Sequence, residues 1–539
     1  MPLLVAAAYA AVIAGILWVS NALHSELCTY PDEPAHYVNG LLIREYLTHG
    51  IPQSPMKFAI EYYLHYPKVT FGHWPPLFHV VEGLWMTLFS SSRTSTGVMM
   101  GCWTLLLAMA LWRACARFGP IVSFAIGLFF LLLPITQDQL TMIMTEIPLA
   151  ALSLLAVMAW ARYLDAGRRR DAVWFGVWAL NAILVKGDAW ALGPAAALVV
   201  LLTGRWQRMR ERAFWIPVLI AGIACVPYYW RTRAWAALGW AGGPSASWKF
   251  TRDAIAKITP VFPAQLGWPT IIALLVGIAG YLLIRKYRSD VFLGVMFSFV
   301  IAATALEVIV PAGIEGRKIY FLLPECLILA ALGIEMAAGV LPAALGRVRM
   351  PALAVAVLAA SMILTFTVVR RFDRGFRDLA TMLHNRFPNQ NIGVMVTSSG
   401  PFEGAIVSEM ANVFPYPSVY VLRATEFLTD VDWLFPVRLL YSSPEEVEGA
   451  LQRSHARVLI VHHMAWQSWA LPDLLDTFVS INCSHWSLIF DRSSHTDRGY
   501  ERVQAWDLQT PPAEPDLEPV MKRLLERRLK PAHVDESSK

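Results

Sequence analysis

Charge is scarce in this sequence. Only 16% of its 539 residues are Asp, Glu, Lys or Arg, against 56% that are hydrophobic, which excludes a soluble protein of ordinary composition. The formal net charge is a small +5, and the basic residues sit in short clusters between apolar runs. That is the pattern of membrane turns, so no DNA or RNA partner is expected. Cysteine is rare too. The six present have no metal-ligand spacing, and Cys102, Cys115, Cys225 and Cys326 fall in or beside apolar segments. Only Cys28 and Cys483 are placed where a disulfide outside the membrane is conceivable. The opening run Met1 to Leu23 has no charged n-region and is long enough to span, so it is expected to be an uncleaved first helix rather than a signal peptide. There is no internal repeat.

What the chain has in abundance is apolar segments of spanning length. Placing the basic turns Arg113 to Arg117, Arg162 with Arg168 to Arg170, Arg205 to Arg212, Arg285 to Arg288, and Arg347 with Arg349 on the cytoplasmic side nearly fixes a topology. It predicts spans at 2–23, 97–114, 119–135, 143–162, 172–186, 189–203, 214–231, 267–285, 291–311, 319–341 and 351–369. That is about 11 to 13 crossings, the N-terminus inside and the C-terminus outside. The run 77–89 is shorter than a crossing and is expected to be re-entrant. The expected fold class is therefore mainly α: a polytopic membrane bundle with outer loops at 24–76 and 232–266.

After Arg370 the composition becomes that of a soluble domain. Buried strands are predicted at 391–398, 457–462, 486–490 and 502–508, with helices at 402–414 and 443–454, the latter opened by Ser443 as N-cap and Pro444. Residues 1–370 thus form the membrane module, 371–510 a small α/β domain on the outer face, and 511–539 a frayed helix and disordered tail.

The first polar stretch after the opening helix is Tyr30-Pro31-Asp32-Glu33-Pro34-Ala35-His36-Tyr37. Asp32 and Glu33 suit the capping of a surface helix over 34–48. They equally suit acid/base chemistry at the membrane surface, where a partly desolvated carboxylate takes the proton of an attacking hydroxyl. If the segment from Pro34 is helical, the two side chains cannot point the same way. Glu146 fits a first-turn acid facing a helix dipole. Lys186 fits a side chain snorkelling to the interface. Arg317 and Lys318 stand outside against the positive-inside bias, which favours function. His462-His463 lies on a strand whose neighbours face opposite ways, so no metal is assigned there. Most of the 21 tryptophans are expected to be interfacial anchors; Trp230, Trp235, Trp240 and Trp248 are kept as sugar-stacking or lid candidates.

Tyr30-Pro31-Asp32-Glu33 with Tyr37, Trp74-Pro75-Pro76-Leu77, Thr145-Glu146 with Leu149, Leu184-Val185-Lys186-Gly187, and Arg317 with Tyr320 and Pro324 occur in that order. Over about residues 1–345 the set resembles GT-C glycosyltransferases of the protein O-mannosyltransferase and lipid A aminoarabinose transferase type. The resemblance implies a GT-C bundle and a sugar donor carried on polyprenyl phosphate. It makes Asp32 the catalytic base, with Glu33 its neighbour in the same site. It would let Glu146 bind the acceptor, bind a divalent cation such as magnesium or manganese, or tune the first carboxylate. Lys186, Arg317, Lys318 and Tyr320 become donor-phosphate candidates. Aminoarabinose transferases have a lysine where this chain has Trp74, so His73, Lys68 or Lys57 is expected to replace that phosphate contact.

The expected function is transfer of a sugar from a polyprenyl-phosphate carrier to a hydroxyl of an extracytoplasmic glycan, lipid or protein, in the inner (plasma) membrane. The alternative is a transporter or lipid flippase with an extracytoplasmic sensing domain. Against it, such proteins show repeated halves and ionisable groups near the bilayer midplane.

Overall fold

The computed structural model describes residues 1–239, 245–388, 390–398, 400–432, 435–466, 470–510 and 517–529. A helix stands at every predicted apolar segment. The first, α1 (Pro2–Val19), buries only Val5, Tyr9, Ile13 and Leu17, a stripe at four-residue spacing that lays one face on the bundle and leaves the rest to lipid. The outer loop follows with α2 (Glu33–Glu45), one π turn to Gly50, α3 (Pro55–His65) and α4 (Leu77–Leu88). At 12 residues α4 is below spanning length. It lies tight against α2: a Cβ on Gly83 would come within 2.9 Å of the Gly40 carbonyl oxygen.

The bundle continues through α5 (Arg93–Ala114), α6 (Pro120–Leu132), α7 (Pro134–Leu140), α8 (Glu146–Ala166), α9 (Arg169–Val185), α10 (Leu192–Thr203) and α11 (Arg212–Gly239). It ends with α12 (Trp248–Ile258), α13 (Val261–Leu266), α14 (Trp268–Leu283), α15 (Arg285–Arg288), α16 (Val291–Ile309), α17 (Leu323–Val340) and α18 (Arg349–Thr365). Among the described residues, seven helices are long and apolar enough to cross a membrane, or up to nine if each bent pair is one span. That is fewer than the crossings expected, for a local reason. Pro134 bends α6 from α7 by 64°, and Gly267 with Pro269 turns α13 into α14 at 110°, since proline cannot continue a preceding helix. The helices α9 and α10 have 17 and 12 residues. Close backbone approach locks α14 on α17, where a Cβ on Gly277 or Gly333 would lie 1.9 Å from the facing carbonyl oxygen.

After Arg370 come α19 (Phe376–Arg386), β1 (Ile392–Thr397), α20 (Gly400–Val413), β2 (Val419–Arg423), α21 (Ala424–Phe427), β3 (Thr429–Asp432) and β4 (Phe435–Leu439). Then follow α22 (Pro444–Ser454), β5 (Val458–Met464), α23 (Ala470–Ile481), β6 (Trp486–Thr496), β7 (Gly499–Leu508) and α24 (Glu518–Leu529). A five-stranded sheet runs β2-β1-β5-β7-β6, parallel at β1–β2 and β1–β5 and antiparallel at β7. The β2 to β4 strands and α19, α21 and α23 add to the predicted elements. Ser443 caps α22 in a full capping box with Glu446. In the expected tail α24 is formed, while 511–516 and 530–539 lie outside the described residues.

This domain sits directly on the outer loop. The His65 ring nitrogen lies 2.9 Å from the Val419 carbonyl oxygen, and a Cβ on Gly404 would meet Pro34 at 3.0 Å. No disulfide forms among the described residues. Cys28 is buried beside Arg374 and Cys483 is exposed, so the pairing of those two is not made.

Candidate active site

Four chain breaks build the site. At the first, Asp32 is the N-cap of α2, yet its side chain makes no capping hydrogen bond. Its carboxylate turns outward instead, and Oδ2 accepts from the Arg317 guanidinium at 2.6 Å. At the second, Glu146 opens α8 after the non-helical residues that follow Thr141. At the third, α9 ends at Lys186, which is extended, and the Lys186-Gly187-Asp188 turn brings Asp188 alongside. At the fourth, Pro311 and Gly313, the latter at a φ of 87°, stop the chain after α16, and a 3-10 turn over Gly316–Leu322 presents Arg317.

Asp32, Glu146, Lys186 and Arg317 converge. Arg317 reaches Glu146 at 3.0 Å and Glu315 at 2.6 Å as well as Asp32, and its guanidinium lies 4.0 Å above the Tyr30 ring. Lys186 pairs with Glu146 and with Asp188, each at 3.0 Å. The cluster opens toward Asp32, whose side chain is 28% exposed where that of Glu146 is 2%. Lys318 joins from one side, donating to the Ala312 carbonyl at 2.5 Å with Glu307 at 3.8 Å.

The other sequence candidates are placed differently. Glu33 points away from Asp32 and is fully buried. It accepts from the Thr29 and Ile143 backbone N–H groups at 3.2 and 3.1 Å and faces Arg93 at 3.4 Å, while Arg93 donates to the Thr141 carbonyl. It is a clasp between the loop that carries Asp32 and the loop that leads to Glu146, and it is not among the residues that converge. Tyr320 is buried against Phe130, the rings 5.8 Å apart. His73 stands edge-on to Trp74, which packs on His36. His36 lies within electrostatic reach of Glu146, Arg317, Lys186 and His73, and burial lowers its pKa to about 3. It is therefore neutral, and it pairs with His79 at 2.9 Å. Adjacent His462 and His463 face opposite ways, the first to buried Ser398 and the second to Asp476. Of the lid candidates, Trp230 and Trp248 are exposed, Trp235 lies against Phe71, and Trp240 lies outside the described residues.

Sequence reading missed Tyr30, His36, Asp188, Glu307 and Glu315. Glu307 carried a signal, being an acid inside an apolar run; Asp188 and Glu315 stood beside residues already chosen. The site carboxylates are engaged by guanidinium or ammonium groups, and among the described residues no three His, Cys, Asp or Glu are grouped to hold a metal ion.

Residues 73–230 match the family model of dolichyl-phosphate-mannose-protein mannosyltransferases. Two crystal structures of ArnT from Cupriavidus metallidurans share the fold. The one bound to undecaprenyl phosphate has 14% identity and a TM-score of 0.57, covering 92% of this chain and 97% of that one. The apo form has 16% identity and a TM-score of 0.58 over the same shares. No curated protein matches in sequence. The fold is therefore the ArnT-like GT-C fold that the ordered motifs implied.

Proposed function

We propose that this protein is a membrane glycosyltransferase that takes a sugar from a polyprenyl-phosphate carrier and passes it to a hydroxyl of an acceptor glycan, lipid or protein outside the cytoplasm. The observation that carries the reading is the convergence of Asp32, Glu146, Lys186 and Arg317 from four separate chain breaks. The match of residues 73–230 to a family named for a lipid-phosphate-sugar donor supports it.

In the proposed step the donor phosphate competes with Asp32 and Glu146 for Arg317 and Lys186. That exchange frees the Asp32 oxygen. The acceptor oxygen then bonds to the anomeric carbon while its proton passes to Asp32, and the bond from that carbon to the phosphate oxygen breaks. The leaving group is polyprenyl phosphate, whose added negative charge the guanidinium and ammonium groups stabilise in a partly dry site. Glu146 holds both cations in position between turnovers.

The active site and the α/β domain are assigned to the extracytoplasmic side of the inner membrane, because the basic turns share the opposite side. Reporters fused after Pro52, Gly242 and Arg370 should report the outside, and those after Arg168 and Arg208 the cytoplasm. A cytoplasmic α/β domain would overturn the sidedness. The activity itself is tested by supplying proteoliposomes with a labelled polyprenyl-phosphate sugar and an extract of the cell envelope. Covalent transfer of label supports the reading, while movement of intact donor between leaflets without transfer supports a flippase instead.

A further inference from the structure

A second polar cleft lies where the α/β domain meets the membrane bundle. Glu26, Cys28 and Thr29 line it from the outer loop, Arg370, Arg371, Phe372 and Arg374 from the segment after α18, Phe402 from α20, and Asp497 with Arg498 from the β6–β7 turn. Two of its guanidiniums are already committed. Arg371 bonds Asp138 at 2.8 Å and Thr141 at 2.7 Å, and Arg374 bonds Glu501 at 2.6 Å. The other two are exposed: Arg498 lies over the Trp466 ring at 5.2 Å, and among the described residues no carboxylate is paired with it or with Arg370. Against these four guanidiniums the cleft holds two carboxylates: Glu26, buried and bound by the backbone N–H groups of Arg374, Gly375 and Phe376 at 2.7–3.0 Å, and Asp497, which is exposed.

The cleft lies just past the ends of two helices of spanning length, α1 and α18. Arg370 follows α18, which ends at Thr365, and the Arg371 backbone N–H donates to Ser20, the residue after α1. Leading up to it, Ile363, Leu364, Phe366 and Val368 are exposed apolar side chains, a ladder suited to acyl chains. Two uncommitted forked donors at the top of such a ladder match phosphate oxygens.

We propose that this cleft binds the phosphate of a membrane amphiphile, its chains lying along the α18 ladder. The cleft wall at Thr29 also begins the turn that carries Asp32. A free phosphate ion shares the headgroup chemistry and lacks the chains.

The test uses the full chain in neutral detergent, titrated calorimetrically with dihexanoyl phosphatidic acid, inorganic phosphate and dihexanoylglycerol. Phosphatidic acid should bind more tightly than either of the others. R370A combined with R498A should weaken it by about tenfold or more, the scale of lost charge-assisted hydrogen bonds, with an unchanged melting profile because both side chains are exposed. K186M, in the converged cluster, should leave it unchanged. Unaltered binding in the double variant overturns the proposal, as does loss of binding in K186M alone, which would place the lipid in the converged cluster. Equal binding of inorganic phosphate would show an ion site and overturn the amphiphile. Because binding is read without turnover, failure here leaves the role of Asp32 untouched.

Discussion

Two buried charge clusters in this molecule look alike in composition and differ in closure. At the domain junction Arg374 is bidentate on Glu501, His462 lies 3.3 Å from the same carboxylate, and the Ser398 hydroxyl completes the chain at 2.7 Å from His462. Serine, histidine and glutamate in a row invite a nucleophile reading, but each is sealed at 1% exposure or less, so no substrate reaches them. In the converged cluster one guanidinium serves Asp32, Glu146 and Glu315 together, and the network opens outward through Asp32. A saturated network fixes structure; a cation shared among several carboxylates can be drawn away by a stronger anion.

The contrast can be broken at the junction first. Arg374→Met should lower stability by about 3–5 kcal/mol, because it strands a buried carboxylate. It should be read as an earlier melt of the whole chain, with any loss of transfer following the folded fraction. A variant that melts normally and fails in transfer would erase the distinction between the clusters. Next, Lys186→Met should cost about 2–4 kcal/mol of transition-state stabilisation with donor supplied and lower the melt by less than Arg374→Met, because Arg317 still pairs with Glu146. Wild-type transfer by that variant would remove Lys186 from the donor site.

The smallest effect expected is on pH. Burial lowers the His462 pKa from its ordinary value, so the unfolded chain takes up a proton that the folded one refuses. Its contribution is present at neutral pH and is lost as pH falls below about 6.5. Against burial, hydrogen bonds from His462 and Arg374 hold Glu501 down at about 2. Its contribution is present above the ordinary carboxylate range and is lost as pH falls through that range toward 2. Thermal melts should therefore fall in two limbs on acidification, and Glu501→Gln should flatten the lower one. A wild-type melt that does not change between neutral pH and pH 3 would contradict the saturated picture.

Much of this was legible in the sequence where spacing and punctuation decide it. Apolar length placed the helices, Ser443 and Pro444 placed α22, and the motif order selected the four residues that converge. The bends at Pro134 and Gly267 were harder, because hydropathy counts apolar residues and not the direction of the axis. Glu33 shows a different limit. Adjacent carboxylates are equivalent on paper, and only the burial of one against Arg93, Thr29 and Ile143 tells a clasp from a reacting group. The anion cleft was out of reach altogether, since its arginines come from segments more than a hundred residues apart.

One paired measurement separates Asp32 as the base from Glu33 as the clasp: transfer per folded molecule, with donor binding measured alongside, in Asp32→Asn and Glu33→Gln. Asp32→Asn keeps the size and the N-cap position, so it should bind donor and melt normally while turnover falls about 100-fold or more. Glu33→Gln should melt earlier and turn over at nearly the wild-type rate in its folded fraction. Full activity in Asp32→Asn beside a folded but inactive Glu33→Gln would reverse the assignment.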